Sequence, residues 1–200
     1  MIEAKHNYVY YLFFKFYTHF KIKLNFEKVC LQGYFIDRNK PILILANHQS
    51  WWDGFWLNYF NEKITQRKLY FMMLEEQLLK YRFFNKIGGF SIRKNSKDAV
   101  CSLNYTVKLL ENPQNAVFLF PQGEIQSIYT DYIYFEKGIS KIINKSGNIQ
   151  VLFVCNFIEY FSCQKPSLFM YFKEWEAQNI QSIEADYNDY FQSCKLSSRQ

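Results

Sequence analysis

The chain has 200 residues, a formal net charge of +6, and a composition that is 49% hydrophobic and 20% aromatic. This length suits one domain with a sizeable core, so residues 1–200 are expected to form a single domain. The absence of a concentrated Lys/Arg block argues against nucleic acid as a partner, whereas the mild basic excess fits a membrane surface, a phosphate or an acidic carrier protein.

The cysteine pattern and the apolar runs exclude several further classes of protein. Five cysteines occur, an odd number, and none forms a C-x-x-C pair, which favours reduced thiols in a cytoplasmic setting. We therefore expect no metal site, and we expect no cofactor. No apolar run approaches the roughly 18 residues of a membrane span, and early charged residues argue against a signal peptide.

The first segment of the chain is rich in aromatic residues. Residues 7–26 mix Tyr, Phe and Lys, which is typical of a segment that faces a membrane surface. For residues 8–18 a core helix is an equal alternative. Residues 20–26 carry apolar side chains at alternate positions and are predicted to form a strand. Residues 1–26 would then comprise an interfacial segment and a first strand.

A buried strand follows and leads into the candidate active site. Gly33 and the segment 37–41 mark turns, and the uncharged, β-branched run 42–46 predicts a buried strand. His48 follows this strand, and Ser50 is predicted to cap the next helix. Open α/β sheets bind their ligands at the carboxyl ends of strands, so the loop that carries His48 is a candidate site.

His48 and Asp53 are the candidate catalytic pair. Asp53 follows His48 by five positions and can point back at the imidazole. A carboxylate on one ring nitrogen fixes the tautomer and leaves the other nitrogen to accept a proton. A His–Asp contact with a purely structural role is the alternative. Trp51 and Trp52, beside the pair, either pack in the core or line an entrance for an acyl chain.

Strands and helices alternate along the rest of the chain, which predicts an α/β fold. An aromatic helix follows Asp53, and Ser96 is predicted to cap a later helix. The predicted strands are 69–74, 116–120, 149–158 and 167–172, and residues 88–94 are predicted as a tight turn that leads into a strand with two cations at its end. The predicted helices are 75–84, 96–111 and 138–144. A carboxyl-terminal helix with its tail is predicted at 180–200, and it is amphipathic to about residue 194.

Four segments resemble the glycerolipid acyltransferases, the family of 1-acylglycerol-3-phosphate acyltransferase. The matching segments are, in order, N-H-Q-S-W-W-D at 47–53, G-G-F-S-I-R-K at 88–94, F-P-Q-G-E-I-Q-S at 120–127 and F-E-K-G at 135–138. Their order and spacing cover about residues 20–160. The resemblance implies an α/β fold with a twisted, mixed β-sheet flanked by helices, and a membrane-facing amino-terminal element.

The third segment departs from the family pattern, which is usually F-P-E-G-T-R-S. Gln122 replaces the usual Glu, Glu124 replaces the usual Thr, and Ile125 replaces the usual Arg. A further family block, which follows these four segments, normally contains a proline in an apolar strand. The predicted strand at 149–154 has no proline. Because the third block serves the acceptor in this family, these changes affect the expected acceptor more than the expected chemistry.

The resemblance implies transfer of a fatty acyl group from acyl-CoA or acyl carrier protein to a hydroxyl of a lyso-lipid. His48 would act as the general base and Asp53 would orient it. Backbone N–H groups around Gly123 would stabilise the oxyanion. Arg93, with Lys94, would bind a donor or acceptor phosphate, although surface salt bridges are the alternative for both.

Gln122 and Glu124 are predicted to contact the head group of the acceptor. A carboxylate repels a phosphate, so Glu124 favours a head group with an amine or hydroxyl, unless its side chain points away to cap a neighbouring helix. Lysophosphatidic acid-like and other hydroxylated lipids therefore remain open as acceptors. The expected location is peripheral, on the cytoplasmic face of a membrane.

Two other functions are compatible with the same residues. A membrane-associated lipid-binding protein without turnover would account for the altered segment 120–127, although it would have no need of the intact pair of His48 and Asp53. A hydrolase could use that pair with water as the acceptor, although the chain has no G-x-S-x-G nucleophile motif.

Overall fold

The computed structural model describes residues 1–94, 97–176 and 179–198. The strands are β1 (Val29–Tyr34), β2 (Ile42–Ala46), β3 (Lys68–Leu74), β4 (Gly89–Ile92), β5 (Asn115–Leu119), β6 (Gln150–Glu159) and β7 (Ser167–Trp175). The helices are α1 (Tyr8–Asn25), α2 (Asp53–Phe60), α3 (Glu75–Lys80), α4 (Asp98–Leu109), α5 (Gly138–Ser146) and α6 (Ile183–Ser197). The predicted strand 42–46 matches β2, and the other predicted strands from residue 69 onward are found with small shifts of their ends.

The seven strands form one mixed sheet in the order β1-β7-β6-β2-β5-β3-β4. The five strands from β6 to β4 run parallel, β7 is antiparallel to β6, and β1 is parallel to β7. The expectation of a mixed α/β sheet flanked by helices is therefore confirmed. The carboxyl ends of the five parallel strands lie at one edge, which brings together the loops that follow β2, β4 and β5.

The sheet is covered on both faces, and β2 lies at its centre. Leu43 and Leu45 pack in the core on the face covered by α4, α5 and α6, whereas Ile42 and Ile44 pack in the core that includes residues of α1 and α2. Every residue of β2 is buried. Burial of one such aliphatic side chain contributes about 1.5–3 kcal/mol, which explains why a continuous apolar run forms this strand.

The prediction of a strand at residues 20–26 is wrong, because α1 continues to Asn25. Asn7 caps the amino terminus of α1 by accepting the N–H groups of Val9 and Tyr10. The residues that α1 buries, which include Thr18 and Ile22, are spaced by four. Alternation and helical spacing both fit this segment, and the helical spacing prevails because it seats one stripe of the helix against the sheet.

The turn predicted at Gly33 is also wrong, since Gly33 lies within the edge strand β1. A Cβ atom at Gly33 would stand 1.9 Å from the carbonyl oxygen of Phe172 in β7. Glycine is therefore required here for close approach between strands, a use that the sequence does not distinguish from a turn. The segment 37–41 does connect β1 to β2 without regular structure.

Two helical predictions need adjustment. The helix predicted at 75–84 is divided into α3, which ends at Lys80, and a 3₁₀ helix at Arg82–Ile87. The cap predicted at Ser96 lies outside the described residues.

Within the described part of the chain, no helix is long and apolar enough to cross a membrane.

Candidate active site

The loops after β2 and β5 meet because these strands are parallel neighbours. Leu45 pairs with Leu119 across β2 and β5, and Ala46 pairs with Val154 across β2 and β6. The chain leaves β2 through Asn47 and His48 at the same level. The residues that follow β5 therefore lie against His48, as expected from the parallel arrangement.

His48 forms a hydrogen bond to Asp53 through its Nδ1 atom. The distance from Nδ1 to Asp53 Oδ2 is 2.7 Å. The same carboxylate oxygen accepts the backbone N–H groups of Gln49 at 2.8 Å and Ser50 at 2.9 Å. Because this oxygen acts as an acceptor, a neutral His48 carries its proton on Nδ1 and its lone pair on Nε2. The structure thus joins the two residues predicted as the catalytic pair.

The carboxyl group of Asp53 is completely buried at the start of α2. Burial raises the pKa of Asp53 above its ordinary value, while the hydrogen bond from His48 and the two backbone N–H groups oppose that rise. The first residue of α2 is thus an acceptor that holds the preceding loop, with the imidazole, in one conformation.

Ser50 does not cap α2 as predicted, because α2 begins at Asp53 and its N-cap position is Trp52. The Oγ atom of Ser50 instead accepts the N–H of Trp52 at 3.1 Å, inside the loop. The backbone N–H groups of Gln49 and Ser50 donate to the carboxylate of Asp53 instead.

Phe120 covers one face of the His48 ring. The two ring centroids lie 3.7 Å apart and the planes differ by 13°. The side chain of His48 remains 22% exposed, which leaves part of the imidazole open to a substrate. Phe120 therefore restricts the rotation of the imidazole and shields one of its faces from water.

Gln122 binds the backbone of His48 rather than projecting into solvent. The N–H of His48 donates to Gln122 Oε1 at 2.8 Å, and Gln122 Nε2 donates to the carbonyl oxygen of His48 at 3.3 Å. Gln122 is buried, and the N–H of Gln126 adds a third bond, to the carbonyl of His48 at 2.9 Å. The amide predicted to contact an acceptor thus holds the loop that carries His48.

Asn47 attaches the other side of this loop to β6. Its Oδ1 accepts the N–H of Asn156 at 2.7 Å, and its Nδ2 donates to the carbonyl of Asn156 at 3.0 Å. The buried side-chain amide of Asn156 has no hydrogen-bond partner for either polar atom within the described residues, and neither do Gln49 Nε2 and Asp53 Oδ1. Unsatisfied buried groups are therefore found next to the catalytic loop.

Gly123 lies in a turn with a φ of 68°, where a side chain would be strained. A Cβ atom there would also stand 2.7 Å from Lys94 Nζ and 2.9 Å from Glu136 Oε1, which form an ion pair at 2.8 Å. The N–H of Gly123 donates to the carbonyl of Phe120 at 3.0 Å. That amide is engaged within the turn, so an oxyanion would need a neighbouring N–H.

Arg93 forms ion pairs with two carboxylates. Its guanidinium lies 2.5 Å from Glu75 Oε1 and 3.0 Å from Asp98 Oδ2. Glu75 raises the pKa of Arg93, and Asp98 adds to this effect, while Arg93 lowers the pKa of Glu75. The alternative of surface salt bridges, weighed for both Arg93 and Lys94, describes their contacts in this structure.

Glu124 is exposed and accepts a hydrogen bond from Gln126 Nε2 at 3.4 Å. Of the two orientations considered for this carboxylate, the cap of a neighbouring helix is not formed, because Glu124 is not a cap residue of any described helix.

The described residues contain no cluster of His, Cys, Asp and Glu suited to a metal ion.

The roles of Asn47, Phe120 and Asn156 were not predicted. Asn47 and Phe120 lie in segments that resemble the family, so the resemblance indicates their positions but not their contacts. These contacts depend on the register of β2, β5 and β6, parallel neighbours whose ends coincide, and the sequence does not give that register. Asn156, a polar residue inside an apolar strand, is a signal that the sequence does contain.

A family model described as Acyltransferase matches residues 28–155. The chain belongs to the acyltransferase family. The match includes β1 to β5 and the segments that carry His48, Asp53, Arg93 and Gln122, and it leaves α1 and α6 outside. Membership supports transfer of acyl groups as the activity of this enzyme. No curated protein matches the chain.

Proposed function

We propose that this acyltransferase moves a fatty acyl group from acyl-CoA or acyl carrier protein to a hydroxyl of a lyso-lipid, in the manner of 1-acylglycerol-3-phosphate acyltransferases. The hydrogen bond of 2.7 Å between His48 and the buried Asp53 carries this proposal. The pair lies at the carboxyl edge of the parallel strands, and Nε2 of His48 has the lone pair that a general base requires.

The proposed reaction takes place at the thioester carbon and passes through a tetrahedral oxyanion. Nε2 of His48 removes the proton of the acceptor hydroxyl as its oxygen attacks that carbon, and the C–S bond breaks as the ester forms. The departing thiolate takes the proton back from His48, so the products are an ester and a thiol. Asp53 holds Nδ1 and stabilises the transient imidazolium. A backbone N–H near Gly123 would stabilise the oxyanion.

The proposed donor site includes Arg93 and Lys94. Both cations follow β4 at the edge of the sheet that carries His48. Phosphate groups of a donor can exchange with the carboxylates Glu75, Asp98 and Glu136, because these ion pairs are exposed and worth little individually.

We also propose that α1 places the enzyme on the surface of a membrane. Most of its solvent-facing stripe is apolar, a composition that is unfavourable in water, and Lys23 is exposed on the same stripe. The exposed apolar residues are Val9, Phe13, Phe16, Phe20 and Leu24. Phe13 stacks on Tyr17, Tyr17 contacts Phe55, and Phe55 contacts the exposed Trp51. This chain of rings runs from the stripe to the loop of His48, and it would guide an acyl chain from the bilayer.

The proposed location is peripheral, on the cytoplasmic face of that membrane. All five cysteines lie in described segments and are free thiols, which fits a reducing compartment. The donor and the acceptor meet at this surface, because acyl-CoA and acyl carrier protein reach it from the aqueous side and a lyso-lipid reaches it from the bilayer.

The proposal is tested by release of free thiol from a long-chain acyl-CoA, and from acyl carrier protein, with a panel of lyso-lipids. The wild type should release thiol only when an acceptor is present. His48→Ala should lower the rate by about 10²–10⁴-fold, the usual contribution of a general base. His19→Ala is a matched control, because His19 also bonds to a carboxylate, Glu62, at 2.8 Å but lies on α1.

Each alternative outcome has a distinct meaning. Equal release with and without an acceptor would identify a hydrolase. No release with any donor or acceptor would favour a lipid-binding protein without turnover. Full activity of His48→Ala would show that another group serves as the base.

A further inference from the structure

We propose that the acceptor of this enzyme has a head group without an anionic charge, and that Glu124 with Ile125 determines this preference. The inference rests on the acyl transfer proposed above and names the class of its second substrate. It concerns the surface next to His48 that is formed by residues 122–126 and by the ends of β3 and β4.

Two cations beside this surface, Arg93 and Lys94, are paired with carboxylates. Arg93 faces Glu75 and Asp98, and the amino group of Met1 also lies 3.7 Å from Glu75. Lys94 pairs with Glu136 at 2.8 Å. With donor phosphates at Arg93 and Lys94, as proposed above, an acceptor phosphomonoester would have to share these two cations with the donor and with their carboxylates, which repel it.

Glu124 adds a carboxylate that these cations do not neutralise. Its one hydrogen bond within the described residues comes from the neutral amide of Gln126. The N–H of Gln126 donates to the carbonyl of His48, so Glu124 is two residues from a direct contact with the catalytic loop. A negative head group that presents its hydroxyl to His48 would approach this carboxylate, whereas a hydroxyl or an ammonium group could donate a hydrogen bond to it.

Gln122 and Ile125 supply no positive charge to the same surface. Gln122 is neutral, buried and bonded to His48 through both of its amide atoms. Ile125 is 57% exposed and stands where the resembling family usually has an arginine. Further along this loop, Ile128, Tyr129 and Tyr134 are also exposed. The loop thus presents apolar and aromatic groups, which suit an uncharged or weakly hydrated head group.

The experiment compares three acceptors whose hydrocarbon chains have the same length. They are presented in micelles of a neutral detergent with a saturating donor. They are monoacylglycerol, which is uncharged, a long-chain amino alcohol, which is cationic, and lysophosphatidic acid, which is anionic. We expect kcat/KM for at least one of the first two to exceed that for lysophosphatidic acid by tenfold or more.

Two variants test the assigned residues. Glu124→Gln removes the charge, and Glu124→Thr with Ile125→Arg restores the usual family residues at both positions. Each variant should move the ratio of kcat/KM values toward lysophosphatidic acid, the second by at least tenfold. Glu27→Gln removes an exposed carboxylate just before β1 and should leave the ratio unchanged.

The outcomes separate this inference from the proposed function. A wild type that uses lysophosphatidic acid as well as or better than both other acceptors would overturn the inference while acyl transfer stands. Variants that leave the ratio unchanged would overturn the assignment to Glu124 and Ile125. Absence of acceptor-dependent release with all three lipids and a wider panel would overturn both the function and the inference.

Discussion

Gln122 holds His48 by its backbone, with one amide atom on the N–H and the other on the carbonyl group of the same residue. The side chain thereby substitutes for a strand partner at a point where the backbone of β2 has left the sheet. A glutamine can donate and accept at once, whereas an ionised glutamate can only accept. The residue that departs from the family pattern is therefore well suited to fix the position of His48, the proposed general base.

Truncation of the Gln122 side chain should slow the reaction without weakening binding of the acceptor. Gln122→Ala removes two hydrogen bonds to the loop of His48, and a misplaced base costs up to about 100-fold in rate. We expect kcat to fall by about tenfold to 100-fold and the acceptor KM to change little. Gln122→Glu should have a smaller effect, because it keeps one acceptor. A raised acceptor KM at constant kcat would instead support the direct contact with the acceptor predicted from the sequence.

Gln150 provides a matched control for this effect. It is a buried glutamine that accepts the N–H of Arg38 and donates to the carbonyl of Ile36, at the opposite end of the sheet from His48. Gln150→Ala should lower the free energy of unfolding by about 1 kcal/mol per lost bond, as Gln122→Ala does. Only the change at Gln122 should reduce kcat. Equal losses of kcat in both variants would indicate a general effect on stability.

The burial of Asp53 predicts a pH dependence of stability. Because burial raises the pKa of Asp53 in the folded state, its contribution to stability is complete below the ordinary carboxyl pKa of 3.8 and is lost as pH rises through the raised value. Asp53→Asn does not titrate, so its unfolding free energy should increase relative to the wild type over that range.

Urea denaturation at a series of pH values from about 3.8 upward measures this difference. Burial lowers the pKa of His6 to about 4, but His6 is present in both proteins, so its titration cancels in the comparison. Asp189→Asn, which changes an exposed carboxyl on α6, controls for the loss of a negative charge. At neutral pH Asp53→Asn should also reduce kcat, since an amide does not stabilise the imidazolium of His48. A difference that shrinks with rising pH would contradict the predicted direction of the pKa shift.

The local pattern of the sequence was sufficient to predict β2, His48 and Asp53. These features lie within residues 42–53, so they depend on residues that are close in the sequence. The segment 20–26 was mispredicted because its apolar residues fit two periodicities, and only the packing of Ile22 against the sheet selects the helix. Local propensity cannot decide between two patterns when the tertiary contact is unknown.

The contacts of Gln122 and Asn47 could not be predicted for a different reason. Gln122 is 74 positions from His48, and Asn47 is 109 positions from Asn156. The family pattern suggests a substrate-binding role for residue 122. It gives the position of this residue, but it does not give the direction of the side chain. Whether such a side chain faces the loop or the substrate depends on the register of β2, β5 and β6, which the sequence leaves undetermined.

Asn156 should be a site where function reduces stability. Its amide is buried without hydrogen-bond partners in the described structure, an arrangement that costs about 1–3 kcal/mol. Asn156→Leu should therefore raise the free energy of unfolding. It should also lower kcat, because the backbone of Asn156 holds Asn47 at the start of the loop of His48, and a larger apolar side chain at this position would shift that contact. Asn115→Leu is the contrasting control: its amide donates to the carbonyl of Leu109, so its loss should destabilise the protein. A destabilised Asn156→Leu would show that the amide has a partner.

The aromatic stripe of α1 predicts how the enzyme associates with membranes. Phe16 is 69% exposed and Phe20 is 62% exposed, so neither contributes much to the folded core. Transfer of one Phe side chain from water to lipid contributes about 1.5–3 kcal/mol, which corresponds to a tenfold or larger change in partition. Phe16→Asp and Phe20→Asp should each reduce binding to phosphatidylcholine vesicles that contain anionic phosphatidylglycerol by at least that factor.

The control for this prediction is Tyr34→Asp, which alters an equally exposed aromatic residue on the edge strand β1. Sedimentation of vesicles with the bound protein measures partition, and thermal unfolding verifies that the variants fold. Activity toward a short, water-soluble acceptor should be retained by Phe16→Asp, because the variant keeps His48, Asp53 and Gln122. If Tyr34→Asp lowers partition as much as the α1 variants, the membrane contact is not specific to α1, and the route from α1 through Trp51 to His48 loses its physical basis.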